Sequence, residues 1–95
     1  QIDSGSVRAL AAKDGASLLP VGITKVEGNF RRSATVAILN SDGEIIAHGL
    51  TAYTSDELRQ IKRKKSIEIS EILGYSYGDA AVHRNNMVML LPDND

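Results

Sequence analysis

The sequence predicts a mainly β fold with short helices, arranged as a small mixed β-barrel with helices at its periphery. Three observations predict it. Strand-type stretches outnumber helical ones, the helices are short, and no regular strand-helix alternation of the kind that builds a parallel doubly wound sheet runs along the chain. Closing the sheet on itself also removes exposed edges, which a chain of 95 residues has little other material to cover.

The elements follow in order. Asp3 is a good N-cap, and Val7, Leu10 and Ala11 recur at helical spacing before Gly15 offers a stop, so residues 3 to 14 predict one amphipathic helix. Ser17 to Ile23 holds Leu18 and Leu19 ahead of Pro20 and Gly22, a short strand running into a loop because proline removes a ladder donor. Val26, Gly28 and Phe30 alternate with Lys25, Glu27 and Asn29, the period of a strand with one wet face. Ala34 to Leu39 is almost wholly apolar, Asn40 to Gly43 supplies turn chemistry, and Glu44 to Tyr53 completes the clearest hairpin.

Thr54 and Glu57 form a capping-box pattern that opens a helix through about Lys64, with Leu58 and Ile61 on one face. A further helix starts at Ser66, gathers Ile69, Ile72 and Leu73 on one side and stops at Gly74. The last predicted strand is Met87 to Leu91, ended by Pro92. The chain therefore predicts a single domain over residues 1–95, ordered to about 91, with 92–95 frayed.

Composition narrows the function classes. Hydrophobic residues make up 42% and charged residues 24%, ordinary for a folded chain. Eleven basic against twelve acidic residues leave no global field to hold a polyanion, so any nucleic-acid contact must come from a local patch. The absence of cysteine excludes a disulfide framework and thiolate metal sites. Apolar runs of about six residues are too short for a membrane span, and no charged-then-apolar leader opens the sequence. An opening at Gln1 and Ile2 with a helix cap already at Asp3 suggests a piece of a longer polypeptide.

Candidate chemistry is sparse. No glycine-rich turn with a following lysine is present to cradle phosphate. His48 and His83 lack a second ligand at metal spacing, and Glu68 with Glu71 suits the solvent face of a helix, so catalytic and metal residues are expected to be absent. Arg59, Lys62, Arg63, Lys64 and Lys65 suit a solvated face that complements a helix end. Tyr75 and Tyr77 flank a glycine-bounded loop without interleaved cations, which favours plugging a barrel end over stacking bases.

Six runs carry a resemblance: Asp3-Ser-Gly-Ser-Val-Arg-Ala-Leu, Ser17-Leu-Leu-Pro-Val-Gly-Ile, Val26-Glu-Gly-Asn-Phe, Ile46-Ala-His-Gly-Leu, Ser66-Ile-Glu-Ile-Ser-Glu-Ile-Leu-Gly-Tyr and Ala81-Val-His-Arg-Asn-Asn-Met. Together they resemble, nearly end to end, the C-terminal domains of the bacterial glutamate 5-kinase family. Those are PUA domains, named for pseudouridine synthases and archaeosine transglycosylases. The resemblance implies a PUA-type mixed β pseudobarrel with peripheral helices. In place of the Gly and Asp that usually follow Arg32, this chain has Ser33 and Ala34, which implies a different turn geometry there.

The resemblance further implies an accessory, regulatory role beside an upstream amino-acid kinase domain that this chain does not contain. That domain would hold ATP and Mg and phosphorylate the side-chain carboxylate of L-glutamate on the route to proline, under feedback inhibition by proline. The implied partners are the kinase domain of the same chain and further copies in a homo-oligomer, in the cytoplasm and without a membrane. A second implication is an RNA-binding module. In RNA-modifying relatives the first helix and the Pro-Gly loop contact RNA, and carried over by position that surface is Arg8, Lys13, Pro20, Gly22 and Lys25.

Overall fold

In the computed structural model, residues 1–12 and 15–90 are described. The elements run α1 (Ser4–Ala11), a 3-10 turn (Pro20–Gly22), β1 (Thr35–Leu39), β2 (Ile45–Thr51), α2 (Ser55–Ile61), a second 3-10 turn (Ser66–Glu68), α3 (Ile69–Leu73) and β3 (Val82–Met89). The three strands form one antiparallel sheet in the order β1-β2-β3.

The hairpin is found where its turn chemistry placed it. Asn40 Oδ1 accepts from the amides of Asp42 and Glu44 at 3.0 and 2.9 Å, and Gly43 takes a φ of 84°. Register runs from Thr35 opposite Leu50 to Ile38 opposite Ala47, with an irregularity before Leu39. On the other side β2 pairs with β3, His48 lying opposite Val88 and Gly49 opposite Met87. A Cβ on Gly49 would lie 2.5 Å from Val82 Cγ1 and 3.0 Å from the Asn86 carbonyl, so glycine permits this approach of β3.

The sheet curls into a ring whose remaining side is stitched by isolated bridges. Leu18 bridges Val82 of β3, and Ile23 bridges Ile2. The Ile2 amide then donates to Leu39 O of β1 at 2.9 Å. Inside lie Ile2, Leu18, Ile38, Ala47, Tyr53 and Val82, while Leu58, Ile61 and Ile69 bring α2 and α3 onto the same core.

Several boundaries differ from expectation, each for a local reason. Asp3 does cap α1, its Oδ1 accepting from Ser6 N at 2.8 Å, but the helix ends at Ala11 because Ala12 is already extended. Leu10 is the last residue of α1 to be buried, so little apolar surface rewards another turn. The strand expected over Ser17 to Ile23 shrinks to the Leu18 bridge, and Pro20 instead opens a 3-10 turn, where its missing donor costs nothing.

No ladder forms at Val26 to Phe30. The alternation marks burial correctly, since Val26 and Phe30 pack on the core, yet Gly28 at φ 77° breaks the extension. Phe30 is bound to the start of α2 instead, its amide donating to Ser55 Oγ at 3.1 Å and its carbonyl accepting from Ser55 N at 3.2 Å. With two expected strands reduced to bridges or loop, strands do not outnumber helices among the described residues.

The capping box is formed: Glu57 N donates to Thr54 Oγ1 at 3.1 Å and Thr54 N to Glu57 Oε1 at 2.8 Å. The helix stops at Ile61 rather than Lys64 because Arg63 takes a φ of 65°, which lets its amide reach Pro20 O at 2.8 Å. Gly74 ends α3 at φ 84° as predicted. The last strand begins at Val82, upstream of the expected Met87, because Val82 pairs with both Thr51 and Leu18, and the exposed polar run His83 to Asn86 hides that start from a hydrophobic period. The expected strand end at Leu91 and the tail 92–95 lie outside the described residues.

The turn after Arg32 keeps the glycine-like conformation despite its substitution. Ser33 adopts a φ of 67°, and its amide donates to Thr51 O at 2.8 Å while Ala34 O accepts from Thr51 N at 3.0 Å. The ladder to β2 holds the serine in a conformation that an L-residue enters at a cost of about 1–2 kcal/mol.

Candidate binding surfaces

The first surface lies between α1 and the Pro20–Gly22 turn. Asp3 N donates to Gly22 O at 2.9 Å, and a Cβ on Gly22 would fall 1.9 Å from Ser6 Oγ, so the turn touches the helix backbone to backbone. A groove of about 300 Å³ runs beside this contact, lined by Ser6, Ala9, Leu19, Val21, Gly22 and Arg63 among others. Leu19 and Val21 are exposed at its rim.

Its electrostatics are set by one ion pair. Arg63 Nη1 stands 2.6 Å from Asp3 Oδ2. That bond, with the Ser6 amide on the other oxygen, holds the Asp3 carboxyl below the usual carboxylate range. Asp3 therefore caps the helix and anchors the cation at once.

Of the residues expected to contact RNA, the structure brings together only part. Gly22 lines the groove, Pro20 is buried beneath it, and Arg8 is exposed on α1. Lys25 belongs elsewhere: its Nζ stands 3.7 Å from Glu27 Oε1, and it lines a second groove of about 410 Å³ between residues 25–30 and β1. Lys13 lies outside the described residues. Arg63 stands at the groove instead, placed there by a positive φ that no linear pattern signals.

The basic run is divided rather than presented as one face. Arg59 pairs with Asp56 at 2.9 Å and donates to Gly28 O, Arg63 is taken by Asp3, and Lys64 and Lys65 are exposed. Both histidines are exposed, His83 Nδ1 accepting from Asn85 N at 3.1 Å. Glu68 Oε2 accepts from Lys65 N at 2.9 Å, a helix-start contact. Among the described residues no three His, Asp or Glu side chains gather as a metal holder, and no helix is long and apolar enough to cross a membrane.

A second surface is aromatic. Tyr53 is fully buried, its hydroxyl donating to Gly78 O at 2.6 Å and accepting from Tyr77 N at 2.9 Å, so it is Tyr53 that fixes the Gly74–Gly78 loop. Tyr77 tilts against Tyr53 at 5.4 Å between centroids and against Tyr75 at 5.3 Å. Tyr75 and Tyr77 do not plug the ring as expected; they stay 45% and 43% exposed. The cation missing from their loop comes from Arg32, whose guanidinium carbon lies 3.4 Å above the Tyr77 ring while Nε donates to Ala52 O at 3.0 Å. The Tyr75 hydroxyl donates to Glu57 Oε2, and that carboxylate pushes its pKa up to about 12.

Comparison with known proteins fits this architecture. The chain is 48% identical over 93 residues to a glutamate 5-kinase of Brucella anthropi, covering 98% of this chain and 24% of the relative. It is 52% identical over 91 residues to that of Sinorhizobium fredii, covering 96% and 23%. The chain thus spans about a quarter of the length of these relatives. Among solved structures, a PUA domain from Aeropyrum pernix K1 crystallised with tartrate superposes with a TM-score of 0.60 at 28% identity, over 86% of this chain and 39% of that one. The family model for the PUA domain matches residues 1–73. With sequence match, bridged ring and helix-turn packing in agreement, the chain belongs to the PUA domain family.

Proposed function

We propose that this chain is the accessory, regulatory PUA domain of a glutamate 5-kinase. The observation that carries the reading is identity of about one half along nearly the whole chain, confined to about a quarter of each relative's length. In this reading ATP and Mg are held by a kinase domain elsewhere in the polypeptide, and the sequence described here has no glycine-rich turn followed by lysine of the kind that cradles phosphate. That domain phosphorylates the side-chain carboxylate of L-glutamate in the cytoplasm, and the part described here biases its assembly into homo-oligomers and its inhibition by proline.

The test is deletion of this segment from the full-length polypeptide. Altered oligomeric state or altered proline inhibition, with phosphoryl transfer retained, is the expected outcome. Turnover, assembly and inhibition all unchanged would remove the reading.

The groove beside α1 supports RNA binding as a second reading, since Arg8 stands exposed on that helix. The turning away of Lys25 and the pairing of Arg63 with Asp3 leave it fewer phosphate partners. Titration of labelled structured RNA against wild type and Arg8→Glu, at low and physiological salt, decides it. Undetectable affinity for both proteins in both buffers ends this alternative.

A further inference from the structure

We propose that the tier of Arg32, Tyr75 and Tyr77 is the face by which this chain docks on the rest of a longer polypeptide, and that the group it receives is a protein carboxylate. The inference rests on the reading of the chain as one part of a kinase polypeptide. Arg32 is fixed from two sides, by the Tyr77 ring 3.4 Å beneath it and by the Ala52 carbonyl at 3.0 Å on Nε. Its two terminal nitrogens make no hydrogen bond or ion pair among the described residues. A guanidinium pinned in this way has already lost much of its rotamer freedom, and its open fork matches the two oxygens of a carboxylate.

The surroundings fit an interface. Arg and Tyr supply a large share of the binding energy where proteins meet, and here two half-exposed tyrosines stand beside the arginine. The tier lies outside both grooves, so it offers a surface for a macromolecule rather than an enclosure for a small one. Charge then selects the partner. A phosphate chain needs several cations and here would approach the Glu57 carboxylate bound to Tyr75, whereas a single carboxylate needs only the one fork of Arg32. The relatives are about four times as long as this chain, which supplies the body of polypeptide that such a face would meet.

Hydroxyl-radical footprinting, read by mass spectrometry at Tyr75 and Tyr77, compares the 95-residue chain with the full-length polypeptide. Both rings are expected to react several-fold more slowly in the full-length form. Arg32→Ala should abolish that protection, as should Arg32→Gln, whose amide can still donate to Ala52 O; Arg32→Lys should not restore it, lacking the fork. Thermal melts check that each variant folds, and Arg32→Gln serves if Arg32→Ala does not. Equal reactivity in the two forms, or protection surviving in a folded variant, overturns the proposal, and protection that needs added RNA overturns it in favour of an RNA surface. ATP-dependent phosphorylation of glutamate by the same full-length protein is read separately. Activity without protection sinks the docking face alone, and protection without activity sinks the kinase reading alone.

Discussion

Asp3 and Arg63, sixty residues apart in the chain, join the start of α1 to the end of α2 through a contact of 2.6 Å. The same carboxylate receives the Ser6 amide, so one side chain serves a helix cap and a tertiary tie. Asp3→Ala should cost about 1–2 kcal/mol, mostly from the cap, because a half-exposed ion pair adds little. Urea denaturation measures it; a loss no larger than that of Arg63→Ala would show that the cap contributes nothing.

The pH dependence of that tie has a fixed sign. The folded-state pKa of Asp3 is lowered from its ordinary value of 3.8, so its contribution is present above that value and is lost as pH falls through the lower folded value. Melting curves of wild type and Asp3→Asn should therefore differ most at neutral pH and converge in acid. A gap that widens on acidification contradicts the assignment.

Gly22 and Ser6 should be coupled energetically. Gly22→Ala forces a methyl to within 1.9 Å of Ser6 Oγ and 3.0 Å of its Cβ, an overpacking of about 1–3 kcal/mol. Combining it with Ser6→Ala should recover part of the loss, since the nearest clash is with the hydroxyl. A double-mutant cycle by urea denaturation checks this, and strict additivity would refute it.

Ser33→Gly should stabilise the fold. Its φ of 67° suits glycine, and relief of the left-handed strain is worth about 1 kcal/mol. An unchanged or lowered midpoint would mean that the turn is not strained in solution.

Glu57→Gln should bring the Tyr75 phenol down from about 12 toward its ordinary 10, because the carboxylate that disfavours phenolate is gone. The raised pKa means that stability linked to this phenol is full below pH 10 and is lost as pH rises through about 12. Alkaline difference spectroscopy of wild type and variant, each also as Tyr75→Phe, isolates the transition; identical titrations would sink the contact.

What could be read from the sequence was whatever depends on neighbours in the chain. The Asn40–Gly43 turn, the Thr54–Glu57 box and the Gly74 stop are complete within a few residues and formed as read. Val26 and Phe30 showed the burial period of a strand, but period alone does not choose a backbone partner, and Ser55 became that of Phe30. Val82 to Asn86 showed no period because its side chains past Val82 face solvent, although Val82 itself pairs with Thr51 of β2. The surfaces were hardest to see: Arg63 reaches its groove through a backbone reversal, and Arg32 and Tyr77, far apart in the chain, meet only in the fold. Of the positions carried over from the Pro-Gly loop of relatives, Gly22 lines the groove beside α1 and Lys25 lines the other one, a separation that no spacing in the chain signals.

The stitches that close the ring set where it should come apart. Ile2 and Ile23 meet in a single isolated bridge, and Leu18 holds to Ala81 and Val82 at one point only, against the longer ladders flanking β2. Partial unzipping along this seam costs less than melting the whole molecule, so the amides of Ile2 and Leu18 should exchange with deuterium ahead of those of β2. An uncoupled seam of this kind would let the Pro20–Gly22 segment breathe while the hairpin stays intact.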